Sequence, residues 1–387
     1  MIWTGRARGP SRAGVVAAVG FALATLTSCV AAAPRPITPP PLPARADAKL
    51  IGYWHNWVGS ATPYIPLREV PAAYTQVNVA FALPVPKGGG AMSFAPNKQT
   101  PEEFRGDIAR LRARGTRVLL SVGGGRHPIV LSNRAEAQRF AQSLSSIIDL
   151  YGFDGLDINL EKESLLLDPG DTDFRRPTTP RVVWFIEAVR MLTQRHGPRF
   201  LLSVSPETQF TVAGHKRYGG EFGGYLPVLH ALRDRLSVVS MQYYNSGTKL
   251  VYTARPNTPE LIVKQGTPDF VVGLAEMLIM GFPVAQDPRL YFPGFPAEKI
   301  VIGLPAKPGA APSGGYLDPS ALRAAWSHLA TGRPAYRSAY RLRQPGGHPS
   351  LGGLMTWSIN WDSTRDSGTR PYSFAATARG LWSEAAP

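Results

Sequence analysis

Between Asp154 and Glu161 the chain reads Asp-Gly-Leu-Asp-Ile-Asn-Leu-Glu, a run in which polar and apolar residues alternate. The two-residue period of a β-strand puts Asp157, Asn159 and Glu161 on one face and Leu156, Ile158 and Leu160 on the other. Two carboxyls and an amide on a buried strand face are costly unless hydrogen-bonded, and no His, Lys or Arg lies within the run to neutralise them. That pattern suits acid–base work: burial and a neighbouring negative charge raise a carboxyl's pKa, so that it holds a proton at neutral pH and can give it to a leaving group. Other chemistries find no support. The seven histidines, at positions 55, 127, 196, 215, 230, 328 and 348, show neither H-x-H nor H-E-x-x-H spacing. The single cysteine, Cys29, excludes an internal disulfide and any metal site with two thiolates. P-loop, dinucleotide and G-x-S-x-G fingerprints are absent. Neither a metal nor a cofactor is expected.

Such a polar face needs a sheet that brings it to an open end. Eight apolar, β-rich runs are candidate strands: Leu50–Trp54, Val77–Ala82, Val118–Val122, Gly155–Leu160, Phe200–Ser205, Val238–Tyr243, Ile300–Leu304 and Gly353–Ser358. Segments of helical period separate most of them. Thr100-Pro101-Glu102-Glu103 offers an N-cap, a proline at the first helical position and a capping-box glutamate, with Phe104, Ile108 and Leu111 as the inward stripe and Gly115 as the stop. Asn133 and Glu136 repeat the device before Phe140, Leu144 and Ile147, with Gly152 as the stop. A third helix starts at Thr179-Pro180, turns Val182, Phe185, Ile186 and Val189 inward, and ends near Gly197. Alternating strands and helices argue for the α/β class and a parallel sheet; eight strands without a dinucleotide fingerprint favour a single-domain (β/α)8 TIM barrel over an open sheet. In that fold the active site lies at the C-terminal ends of the strands, which is where Glu161 falls.

The run at 154–161 resembles the D-G-x-D-x-D-x-E signature of glycoside hydrolase family 18, the chitinase family. Other strand ends agree: Ser121-Val122-Gly123-Gly124 with the S-x-G-G motif, Gly52-Tyr53-Trp54 with the first strand and Asn78-Val79-Ala80-Phe81 with the second. Met241-Gln242-Tyr243-Tyr244-Asn245 resembles the sixth-strand Q-x-Y-N element, and Met355-Thr356-Trp357-Ser358 the last strand. The resemblance spans Leu50 to about Asp362. It implies retention by substrate assistance, in which the 2-acetamido oxygen of the sugar replaces a protein nucleophile. Glu161 would donate a proton to the glycosidic oxygen and then act as base on water, with Asp157, Asn159 and Tyr244 as the other catalytic positions. Tyr53, Phe81, Gly124, Met241, Gln242, Asn245 and Trp357 would bind substrate, the tryptophan as the floor of the sugar subsite. The substrate class implied is chitin or N-acetylglucosamine oligosaccharides. Position 159 departs from the pattern, carrying Asn where the family has Asp. The expectation is weaker electrostatic support for the oxazolinium ion, a lower pKa at Glu161 and a lower turnover or more acidic optimum. A chitin-binding barrel without catalysis, and an endo-β-N-acetylglucosaminidase acting on N-glycan or peptidoglycan, remain alternatives.

Residues 1–28 carry Arg6, Arg8 and Arg12, no acid, and the apolar run Val15–Leu26, shorter than the roughly 20 residues of a membrane span. This reads as an export signal. Leu26-Thr27-Ser28-Cys29 resembles a bacterial lipobox, making Cys29 the expected lipidation site and membrane anchor; cleavage near Ala31–Ala33 is the alternative. Residues 29–48 form a proline-rich linker, and 49–387 the catalytic barrel. The protein is thus expected at the cell envelope or outside the cell, as a monomer. Only 48 residues, 305–352, separate the last two candidate strands, room for one helix near Pro319–Ala330 but not for a large insertion domain. The long gap before the seventh strand holds the apolar run Val271–Phe282, expected as a buried helix. Of 387 residues, 42 are Lys or Arg and 27 Asp or Glu, a net +15 that would suit an anionic partner. The densest basic run, Arg105 to Arg117, is interleaved with Asp107, follows Glu102 and Glu103 and reads as a solvated helix face, so nucleic acid is not expected as a partner.

Overall fold

The computed structural model describes residues 47–366 and 368–383. The signal segment with its lipobox, Cys29 and all but the last two linker residues lie outside them. All eight candidate strands form: β1 Lys49–His55, β2 Gln76–Pro84, β3 Arg117–Gly123, β4 Gly155–Asn159, β5 Leu201–Val204, β6 Val238–Gln242, β7 Ile300–Pro305 and β8 Gly353–Trp357. Each pairs in parallel with its chain neighbour, and β8 returns to β1 with Leu354 opposite Leu50, which closes the barrel.

Strand parity sorts the side chains into two cores. Leu50 and Trp54 of β1, Val77 and Val79 of β2 and Leu156 and Ile158 of β4 join the large core shared with the helices. Ile51, Tyr53, Ala80, Val238, Val301 and Met355 form a smaller cluster that Trp57, Phe81 and Trp357 extend. This second cluster fills the barrel, with its aromatic end at the C-terminal ends of the strands.

Seven connections or tails carry the α-helices: α1 Pro101–Ala113, α2 Arg134–Tyr151, α3 Pro180–His196, α4 Leu226–Leu232, α5 Pro268–Met280, α6 Pro319–Thr331, then α7 Ile359–Asp362 and α8 Ser373–Ser383 after β8. The capping box of α1 forms on both sides, Thr100 Oγ1 accepting from the Glu103 N–H at 3.2 Å and Glu103 Oε2 from the Thr100 N–H at 2.8 Å. In α2 the Asn133 side chain caps as expected, but the Glu136 carboxylate accepts from Ser132, one residue further out. Along α1 the exposed arginines pair with acids, Arg105 with the exposed Glu102, Arg110 with the buried Asp107 and Arg112 with the partly buried Asp154.

Three details differ from a strict alternation. The first connection holds only a 3-10 turn, Leu67–Glu69. The β6–β7 connection adds two antiparallel hairpins, Thr248–Tyr252 with Glu260–Lys264 and Phe282–Val284 with Asp287–Phe292. The apolar run there is helix only as far as Met280, because Gly281 at φ 77° ends α5 and Phe282 opens the second hairpin. The β7–β8 connection contains α6 and irregular chain, with no added sheet. Among the described residues no helix is long and apolar enough to cross a membrane.

Candidate active site

Asp157 lies at the centre of the lumen, fully buried. Parity aims four hydroxyls from three other strands and their ends at its carboxylate: Tyr53 at 2.6 Å and Ser121 at 2.7 Å on Oδ2, Ser203 at 2.6 Å and Ser205 at 3.4 Å on Oδ1. Burial raises this carboxyl above its usual range and the hydroxyls pull it back.

Asn159 stands one lumen-facing position higher. Its Oδ1 accepts Nε2–H of Gln242 at 2.8 Å, and the same amide nitrogen donates to the Ser205 carbonyl at 2.9 Å, so β4, β5 and β6 are tied together at this level. An amide oxygen has two lone pairs, which leaves Asn159 one acceptor direction.

Glu161 follows at the mouth, just beyond β4. Burial first, then the charge of Glu207, raises its pKa from 4.5 to about 7, against the pull of Lys162 and of hydrogen bonds from Gln242 and Asn159. A carboxyl so placed is divided between acid and base near neutral pH, which is what a group that must give and then take a proton requires. Tyr244 is buried beside it; burial, then the charges of Glu161, Glu207 and Asp157, raise its hydroxyl far enough to keep it a donor.

The S-x-G-G segment keeps this corner open. Gly124 sits at φ 79° and a Cβ there would come within 2.9 Å of the Phe81 ring, while a Cβ on Gly125 would come within 2.7 Å of Glu161 Oε2. Opposite, Trp357 stands 5.5 Å from Tyr53 and 6.1 Å from Phe81, the Phe81 ring nearly parallel to it at 15°. Both Trp357 and Phe81 are partly exposed, so an apolar surface of the size of a sugar ring is open at the mouth.

These features of strands, mouth and neighbours are those of a known family. Residues 49–311 match the sequence model described as Glycosyl hydrolases family 18. The chain belongs to family 18. Among its curated relatives, Chitinase Chi52 of Paenibacillus xylanexedens is 45% identical over 314 residues, 81% of this chain and 58% of that protein. The chain therefore spans little more than half the length of that relative. A probable class II chitinase of Arthroderma benhamiae is 38% identical, the match covering 76% of this chain and 90% of that one. Among solved structures, a family 18 chitinase from Chromobacterium violaceum superposes with a TM-score of 0.76 at 33% identity, covering 88% of this chain and 85% of the other.

Of the positions expected to bind substrate, Met241 faces away from the lumen and Asn245 is engaged by the β7–β8 connection. Met241 alternates with Gln242 on β6 and so joins Val239 and Tyr243 in the helix-facing core, away from the lumen. Asn245 is exposed, and its Oδ1 accepts the Ser313 N–H at 3.0 Å, which uses it to tie down the β7–β8 connection. Conversely, the sequence-derived set lacks two residues at the mouth, Glu207 and His55. Glu207 continues the parity of Ser203 and Ser205 past the end of β5, a signal legible once that strand is placed. His55 continues the parity of Tyr53, stacking on Trp57 at 4.3 Å and lying 4.8 Å from Trp357. Both of its ring nitrogens are buried without a hydrogen-bond partner, and burial lowers its pKa to about 3, so it is neutral at working pH.

Proposed function

We propose that this protein is a chitinase-like glycosidase that cleaves β-1,4-linked N-acetylglucosamine polymers by substrate assistance, with Glu161 as general acid and then general base. The observation that carries the reading is a carboxyl at the barrel mouth held near pH 7, beside a buried tyrosine donor and facing an open aromatic floor. The sugar at the cleaved unit stacks on Trp357. Tyr244 donates to its acetamide oxygen, and the free lone pair of Asn159 accepts the acetamide N–H. That oxygen attacks the anomeric carbon as Glu161 protonates the departing glycosidic oxygen, so that the C–O bond breaks and an oxazolinium ion forms. Glu161 then takes a proton from water, which opens the ring with retention and restores the acid. Asp157, locked among four hydroxyls, fixes the lower layer that orients Tyr53 and the strand above it.

The Asn at 159 favours a second reading, a barrel that binds chitin with little or no turnover. A chromogenic chitobioside separates the two: release by the wild type and none by Glu161→Gln supports the enzyme, whereas retention on chitin without release by either supports the binding protein. The segments before the barrel support export and anchoring through a lipid on Cys29.

A further inference from the structure

Glu207 is a second carboxylate at the mouth. It lies two residues past Ser205, its main chain bridged to Gln242, and its Oε2 accepts the backbone N–H of Lys162, the residue bonded to Glu161, at 3.5 Å. It is only partly exposed, and burial raises its own pKa. Charged and titratable groups face this corner from every side: Lys162 after β4, Glu221 and Tyr225 before and within the approach to α4, Tyr244 and Lys249 after β6, and Asp157 below. Neither lysine neutralises it by contact. The Lys162 ammonium donates to the Gly125 carbonyl at 3.3 Å and the Lys249 ammonium to the Ser246 carbonyl, and among the described residues no ion pair reaches Glu207 within 4.0 Å.

Position 159, where the family pattern has a charge next to the acid, is neutral here. One lone pair of its oxygen accepts from Gln242 and its amide donates toward Glu161, a bond that favours the ionised form. Burial does most to favour the protonated form, and the charge of Glu207 adds to it. We propose that Glu207 is a positioning residue for catalysis, supplying from the end of β5 the negative charge that position 159 lacks and so keeping Glu161 ready to act as an acid. This rests on the assignment of Glu161 as the acid. Two carboxyls whose charges interact titrate as a pair, and removal of one charge lowers the other's apparent pKa.

The test combines Glu207→Gln, Glu207→Asp and Glu207→Gln with Asn159→Asp, read by kcat/KM on a chitobioside across pH and by carboxyl 13C resonances of Glu-labelled protein, with Glu161 assigned through Glu161→Gln. Glu207→Gln is expected to move the Glu161 titration and the alkaline limb of kcat/KM down by about one pH unit. At pH 8 that is a loss of about tenfold, against less than about twofold at pH 5. Glu207→Asp should keep the wild-type titration, and Asn159→Asp should restore most of it in the Gln background. An unmoved Glu161 resonance in folded Glu207→Gln overturns the proposal, as does an equal loss at every pH. Should the wild type release no product, the enzyme reading fails, while the resonance still decides the coupling.

Discussion

A carboxyl that titrates near pH 7 in the fold and near 4.5 in the open chain ties stability to pH. Between those values the folded state binds more protons than the unfolded one, so Glu161 costs nothing at pH 4 and progressively more as the pH rises through 7. Glu161→Gln, which cannot ionise, should therefore be more stable than the wild type by about 3 kcal/mol at pH 8 and nearly equal to it at pH 4. Denaturant unfolding at the two pH values checks this; an equal gain at both would show that the carboxyl is not strained by its charge. At this scale the sequence carried the site where strand parity alone decided it, as for Asp157, Asn159 and Glu161. It failed where a motif was carried over without its parity. Met241 neighbours Gln242 in the chain but faces the helices, and Asn245, past the end of the strand, accepts from Ser313 of the β7–β8 connection. Glu207 and His55 escaped for the converse reason: each extends a lumen-facing row beyond the apolar residues that mark the strand.

At the scale of elements, strands and helices were legible because each carried its own local signal, an apolar run of the right length or a cap. The connections were not, since their order comes from contacts distant in the chain. The β7–β8 connection shows how. Glu276 of α5, fully buried, accepts from Tyr340 at 2.8 Å, from the Arg343 N–H at 2.9 Å, from the Gln344 N–H at 3.2 Å and bonds His348 Nε2 at 3.1 Å. One carboxylate thus holds a loop more than sixty residues away, and no periodicity announces it. Glu276→Ala would strand several buried donors together, with an expected loss of about 3 kcal/mol or more in unfolding free energy. Urea denaturation measures it, and a loss below about 1 kcal/mol would mean that water replaces the carboxylate there.

For the whole molecule, the β7–β8 connection carries α6 and no inserted sheet. On the proposed chitinase-like reading, such a connection would raise no wall beside Trp357, and a long polymer is expected to be cut internally. The expected outcome is a rapid fall in the viscosity of a soluble chitin derivative at low release of reducing ends. Viscosity that falls only in proportion to reducing ends would indicate attack from chain ends.

Lys49 opens β1 at the base of the barrel, and Glu161 lies past the far end of β4. The start of β1 therefore lies about 20 Å from the sugar floor, at the opposite end of the strands. The two ends of the barrel are thus separated by the full length of its strands, the base where β1 opens being free of every residue assigned to the mouth.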